Sequence, residues 1–200
     1  MTFTGLVGQI CMFPLRAIIA ACVALEIHPN ILTFVGLLIN VAGAVALGQA
    51  HFITAGVIMI VANIFDFIDG KVARELHAET KFGGFWDSVI DRFSDIALFF
   101  GLIYLYSTLG RTDYVMITAI AMMFAIMTSY TRARAESLIL KCKVGFMERP
   151  ERIVLFMIGA FTNRMAAVMW VIGVLSVFTV ADRIIYTYRE LRDARPEPVV

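Results

Sequence analysis

Five aspartates, Asp66, Asp69, Asp87, Asp91 and Asp95, fall within or beside strongly apolar stretches of the chain. An ionised carboxylate next to hydrocarbon is costly, so each needs a partner or a task. On a helix, Asp66 and Asp69 stand three residues apart, and Asp87, Asp91 and Asp95 follow one another at intervals of four, so each set lines one face. Two antiparallel helices joined by a short loop can turn those faces toward each other, gathering four or five carboxylates around one cavity. Such a cluster repels itself unless a cation is present. Hard oxygen ligands select Mg2+, Mn2+ or Ca2+ over soft metals, and no His or Cys stands in register for a zinc site. On spacing alone, two other readings stay open: a proton or ion pathway, and ion pairing with Arg74, Arg92 and the basic loops.

Small residues accompany the carboxylates. Gly70 follows Asp69 directly, Ala73 lies one turn on along the same face, and Gly83 precedes Asp87 by one turn. Side chains this small permit close approach of a substrate, or of another helix.

The elements that carry these residues are set by composition. Of 200 residues, 60% are hydrophobic and 16% charged, against roughly 45–50% and about 25% in ordinary globular domains. With a mean hydropathy of +0.82, a soluble domain is excluded. The 39 residues between Glu26 and Asp66 contain no Asp, Glu, Lys or Arg, enough for two membrane crossings at about 20 residues each. The expected fold is therefore all-α and polytopic. A net charge of +1 gives no field that would attract nucleic acid, and none is expected as a partner. Cys11, Cys22 and Cys142 are too few and too scattered for a disulfide framework or metal cluster, and read as free packing residues. The absence of Lys and Arg before Gln9 argues against a cleaved signal peptide.

Along the chain, residues 1–28 are apolar but interrupted by Pro14, Arg16 and Glu26, which suits an interfacial amphipathic helix. After the turn at His28-Pro29-Asn30, with Asn30 or Thr33 available as a helix cap, six transmembrane helices are expected over 31–47, 52–76, 85–105, 114–136, a fifth opening near Pro150, and 165–188. The fifth is the weakest, since its uncharged run, 153–163, has 11 residues. The chain thus reads as one membrane domain over 1–200: the interfacial helix 1–28, a six-helix bundle over 29–190, and a cytoplasmic tail over 191–200. Six crossings put both termini on one side, where all of the 17 basic residues but Arg111 and Arg164 also fall. By the positive-inside rule that side is cytoplasmic, in the cell membrane.

Read in order, Asp66-Phe67-Ile68-Asp69-Gly70-Lys71-Val72-Ala73-Arg74, eight residues, then Gly83-Gly84-Phe85-Trp86-Asp87-Ser88-Val89-Ile90-Asp91 resembles the CDP-alcohol phosphotransferase signature, D-x-x-D-G-x-x-A-R-x8-G-x-x-x-D-x-x-x-D, at all eight specified positions. The segment Pro29-Asn30-x-x-Thr33, the six spans and the interfacial helix are also similar to that family, so the resemblance covers nearly the whole chain. It implies an enzyme that transfers the phosphate-linked lipid of a CDP-lipid to an alcohol and releases CMP. It further implies that Asp66, Asp69 and Asp87 hold a divalent metal, Mg2+ or Mn2+ and commonly two ions, and that Asp91 is the general base and also touches metal. Asn30, Thr33, Asp69, Gly70, Ala73, Arg74 and Gly83 would lie along the CDP-lipid. A homodimer is expected on the same ground. Why Asp91 and not Asp95 does not follow from spacing.

The acceptor is addressed by basic residues. Ser129-Tyr130-Thr131-Arg132-Ala133-Arg134-Ala135-Glu136 and Met147-Glu148-Arg149-Pro150-Glu151-Arg152 flank the fourth and fifth spans, and Arg183 sits inside the apolar end of the sixth. Positive-inside topology accounts for Arg189, Arg192 and Arg195, but less well for Arg132, Arg152 and Arg183, which could converge at the depth of the aspartates. Arginines gathered at a membrane site suit an anionic acceptor such as a phosphomonoester. These segments resemble the phosphatidylinositol phosphate synthase branch, which implies inositol phosphate as acceptor and Arg132, Arg152 and Arg183 as its phosphate site. Glycerol 3-phosphate, serine and free inositol are the competing acceptors within the family. Intramembrane prenyltransferases also use D-x-x-D on a magnesium diphosphate, but on segments far apart, whereas both segments here lie within 26 residues. An ion transporter is the non-enzymatic alternative.

Overall fold

In hydrocarbon only a helix or a closed barrel satisfies its own backbone, so long uncharged runs between short polar breaks become helices. The computed structural model describes residues 15–193, and every regular element among them is helical. They are Leu15–Ala24 (α1), Pro29–Gly48 (α2), Phe52–Glu75 (α3), Lys81–Thr108 (α4), Thr112–Glu136 (α5), Arg149–Thr162 (α6) and Met165–Asp193 (α7). Of the expected interfacial helix, residues 1–14 lie outside the described residues, as do Cys11, Arg195 and the tail beyond Asp193. Four helices, α2, α3, α5 and α7, are long and apolar enough to cross a membrane, the pattern of an integral membrane protein. The 28-residue α4 carries Asp87, Asp91, Arg92 and Asp95, and α6 has only 14 residues. Apolar side chains such as Ile53, Phe100, Trp170 and Phe178 stand exposed on the outer surface, as lipid contact requires.

The ends of the helices follow local chemistry. The cap of α2 is His28, not Asn30 or Thr33: its Nδ1 accepts from the Asn30 backbone N–H at 3.2 Å. Pro29, which lacks an N–H, opens the helix without losing a bond and moves its start ahead of Asn30. Thr80 caps α4 by accepting from the Gly83 N–H at 2.9 Å. At α6, Glu148 and Glu151 form a reciprocal capping box with Pro150 in the first turn. The helix therefore opens at Arg149, next to the Pro150 at which the fifth span was expected to begin.

Packing runs α2–α4–α5–α7–α6–α3 and back to α2, a closed ring of neighbours. One core joins Leu47 and Met59 to Leu98, Phe99, Phe156, Met169 and Ile172, with the Phe99 and Phe156 rings edge to face at 5.0 Å. A smaller cluster seats α1 on α2 and α3 through Ile19, Cys22, Leu32, Ile68 and Val72. Cys22 and Cys142 are buried free thiols. Although consecutive, α3 and α4 do not pack against one another. Helix α2 bridges them, so their carboxylate-bearing faces look across a gap. That gap positions the site.

Candidate active site

Across it, carboxylate oxygens of Asp66, Asp69 and Asp87 come within 4.8 Å of one another. Asp69 is buried, and its Oδ2 accepts the Thr33 hydroxyl at 2.6 Å. That bond ties α2 to α3 and fixes the carboxylate's orientation. Asp66 and Asp87 are half-buried, facing the opening. The three present only oxygen donors, the set that hard divalent ions take.

A cleft of about 370 Å3 opens from this group. Its walls are Pro29, Asn30 and Thr33 at the start of α2; Asp66, Asp69, Gly70, Ala73 and Arg74 on α3; Ala78, Glu79 and Thr80 in the connection; and Gly83, Gly84 and Asp87 on α4. All the residues singled out for a CDP-lipid therefore line one cavity. Gly70 has only the flexible end of Arg74 in reach of an added Cβ, at 3.7 Å, so a side chain here would project into the cleft itself. Arg74 folds back to donate to the Gly70 carbonyl at 2.8 Å, keeping its charge beside the opening.

Asp91 is placed differently. It lies outside the close carboxylate group, with Oδ1 3.1 Å from Arg149 Nη2 and Oδ2 3.7 Å from Arg92 Nη1. Asp95, one turn deeper, is paired with Arg152 at 2.5 Å, the two side chains being 7% and 2% exposed. Arg149 reaches Asp66 Oδ2 at 2.7 Å and stands 3.8 Å from Asp95. Of the ion pairs open on spacing, Arg92 thus approaches one carboxylate and Arg74 none, while Arg149, passed over as a site residue, meets three. The signal was available: arginines at positions 149 and 152 share a face of a helix whose Pro150 marks its first turn.

The other arginines gather beside this cluster. Arg132 Nη1 and Arg183 Nη2 both meet Glu148 Oε1 at 2.9 Å. Arg152 donates to Thr128 Oγ1 at 3.1 Å, and Arg183 donates to the Thr128 carbonyl and, at 3.0 Å, to that of Val144. Arg132, Arg152 and Arg183 are therefore brought together around Glu148 and Thr128. Arg183 and Arg152 are each 2% exposed, whereas Arg132 remains open to solvent along one side. Neither Glu148 nor Thr128 is readable as a partner from sequence, since they lie 35 and 55 residues from Arg183.

Known proteins match this arrangement. The CDP-alcohol phosphatidyltransferase family profile covers residues 26–181. An archaetidylinositol phosphate synthase of Methanothermobacter thermautotrophicus is 34% identical over 167 residues, spanning 80% of this chain and 83% of its own. A phosphatidylinositol phosphate synthase of Mycobacterium tuberculosis is 34% identical over 167 residues, 78% and 77% of the two chains. Crystal structures of M. tuberculosis phosphatidylinositol phosphate synthase superpose with a TM-score of 0.81 for the form with CDP-DAG bound, at 29% identity over 87% of this chain and 93% of that one. The complex with manganese and citrate gives 0.82, at the same identity over 87% and 88%. With three of its four signature aspartates gathered at one cleft and its helices arranged as in these enzymes, the chain belongs to the CDP-alcohol phosphatidyltransferase family.

Proposed function

We propose that this protein transfers the lipid-phosphate group of a CDP-linked lipid, CDP-diacylglycerol or an ether analogue, to a hydroxyl of inositol phosphate and releases CMP. The observation that carries the reading is the meeting of Asp66, Asp69 and Asp87 within 4.8 Å at the mouth of a cleft that the rest of the CDP-binding signature lines. Relatives named archaetidylinositol phosphate synthase and phosphatidylinositol phosphate synthase support it, as does the solved relative with CDP-DAG bound.

The three carboxylates fit a divalent cation by donor chemistry, spacing and the orienting bond from Thr33. Bound Mg2+ or Mn2+, as one ion or a pair, neutralises the diphosphate and stabilises the departing phosphate of CMP. Asn30, Thr33, Gly70, Ala73, Arg74 and Gly83 seat the CDP moiety along the cleft. The acceptor oxygen bonds to the lipid-bearing phosphorus, the bond from that phosphorus to the CMP phosphate oxygen breaks, and the hydroxyl proton passes to Asp91. Asp91 suits that task better than Asp95, because its side chain is partly open while Asp95 is sealed against Arg152. Arg132, Arg152 and Arg183 would hold the phosphate of the acceptor, with Arg132, the most open of the three, making first contact.

In this reading the chain is a single membrane domain in which α2 to α7 all cross the bilayer. The cleft faces the cytoplasm, α1 lies along the interface, and two copies assemble as a homodimer. The test is CMP release from CDP-diacylglycerol with Mg2+, offering inositol 1-phosphate, inositol, glycerol 3-phosphate and serine in parallel. Turnover with inositol phosphate alone is expected; turnover with glycerol 3-phosphate would keep the aspartate roles and discard the acceptor. An ether-linked CDP-lipid run alongside distinguishes the two donor classes.

A further inference from the structure

Arg149 stands at the first position of α6 and presents each of its three guanidinium nitrogens to a different aspartate: Nη1 to Asp66 at 2.7 Å, Nη2 to Asp91 at 3.1 Å, and Nε toward Asp95 at 3.8 Å. Its side chain is 17% exposed. Among the described residues it alone forms ion pairs with both the close carboxylate group and the carboxylate set apart from it. Only the bond to Asp66 has full hydrogen-bond geometry, and Arg149 Nε, Asp91 Oδ1 and Asp95 Oδ1 are buried without such a partner. The junction is held by charge and direction and is not locked.

The geometry points to Arg149 as a positioning residue for the transfer reaction: it aims one oxygen of Asp66 away from α6 and holds Asp91 at a set distance from the carboxylate group. The assignment rests on the functional reading above. A planar fork can serve two carboxylates at once, which an ammonium cannot. Because α6 is docked by core contacts such as Phe156 on Phe99, the fork arrives on a rigid element. Orienting partners of this kind are worth about 10- to 100-fold in metal affinity or activity.

Two opposed effects make the assignment testable by sign. As a cation near the metal ligands, Arg149 repels a divalent ion, so if it acted only through its charge, Arg149→Gln would tighten Mn2+ binding. If it orients Asp66, the same change weakens binding. We measure Mn2+ affinity of the purified full-length protein by calorimetry, together with kcat and KM for CMP release, in wild type, Arg149→Gln, Arg149→Lys and Phe156→Leu. The expected result is about tenfold weaker Mn2+ and kcat down 10- to 100-fold at saturating metal for Arg149→Gln. Arg149→Lys, one charge on a flexible stem, recovers metal affinity more than kcat. Phe156→Leu, which trims one core contact of α6 but leaves the helix docked and the carboxylates untouched, lowers the thermal midpoint and leaves Mn2+ affinity unchanged. Unchanged or tighter Mn2+ in Arg149→Gln overturns the inference, as does a Phe156→Leu protein that loses Mn2+ affinity equally. Failure of the wild type to bind Mn2+ or release CMP would instead sink the functional reading itself.

Discussion

Arg152 on α6 meets Asp95 on α4 at 2.5 Å, with almost none of either side chain exposed. The pair gives two aspartates one turn apart different surroundings, Asp95 sealed against Arg152 and Asp91 facing Arg149. Removing one member of a buried pair leaves the other charge uncompensated, which costs about 3–5 kcal/mol. Asp95→Asn is therefore expected to lower the thermal midpoint in detergent strongly. Arg152 keeps its bonds to Thr128 and Met147, so the loss should sit near 3 kcal/mol, at the lower end of that range.

Asp91→Asn is expected to behave in the opposite way. Its folding and Mn2+ binding should survive, while CMP release falls by about 10^2- to 10^4-fold, the usual contribution of a positioned general base. Mn2+ titration set beside single-turnover CMP release separates the two. Loss of Mn2+ binding as complete as in Asp69→Asn would make Asp91 chiefly a ligand.

Thr33→Val removes the hydroxyl that Asp69 Oδ2 accepts at 2.6 Å while keeping shape. An orienting partner lost from a metal ligand weakens the metal by about tenfold or more. The Mg2+ concentration for half-maximal CMP release should rise accordingly, and a Mg2+ titration of CMP release reads this directly.

Helix packing gives a prediction independent of chemistry. A Cβ on Gly101 would lie 2.2 Å from the Ala44 carbonyl oxygen, where α4 crosses α2. That clash involves backbone and cannot be relieved by rotating a side chain. Gly101→Ala should cost about 1–3 kcal/mol, as overpacking does. Gly173→Ala on α7, whose nearest neighbour would be 3.6 Å away, should be neutral or slightly stabilising. Thermal unfolding of both variants checks the contrast.

Arg132→Ala is expected to raise the acceptor KM about tenfold or more, the scale of one lost charge-assisted bond. The KM for the CDP-lipid should stay constant. Initial rates over both substrates decide it, and an unchanged acceptor KM would remove Arg132 from the acceptor site.

Much of the site was legible along the chain because its parts are close in sequence. Asp66, Asp69, Gly70, Ala73 and Arg74 share one helix face, and Gly83 and Asp87 share another within one short connection. Periodicity alone aligns them, and a connection of five residues forces the helices antiparallel. The helices themselves were legible within a few residues, because uncharged runs broken at Gly48–His51 and at Pro150 leave little choice. Less legible were the ends, where His28 displaced Asn30 as the cap of α2 and α4 began at Lys81, four residues ahead of the expected Phe85.

What amino-acid order alone determined is the class, an all-helical membrane chain, and the donor set of the carboxylate centre, since both follow from local composition and spacing. Only the tertiary structure decided which carboxylates meet. Asp87, Asp91 and Asp95 are equivalent by spacing, yet Asp87 joins Asp66 and Asp69, Asp91 faces Arg149, and Asp95 is sealed by Arg152. The difference comes from α6, which follows α4 by more than 40 residues in sequence but brings two arginines to its face. The gap between α3 and α4 has the same origin: α2 packs on both and α6 on α3, so the two consecutive helices stand apart and leave room for a substrate. Contacts between elements so distant in the chain depend on how whole helices pack, and no local pattern encodes them.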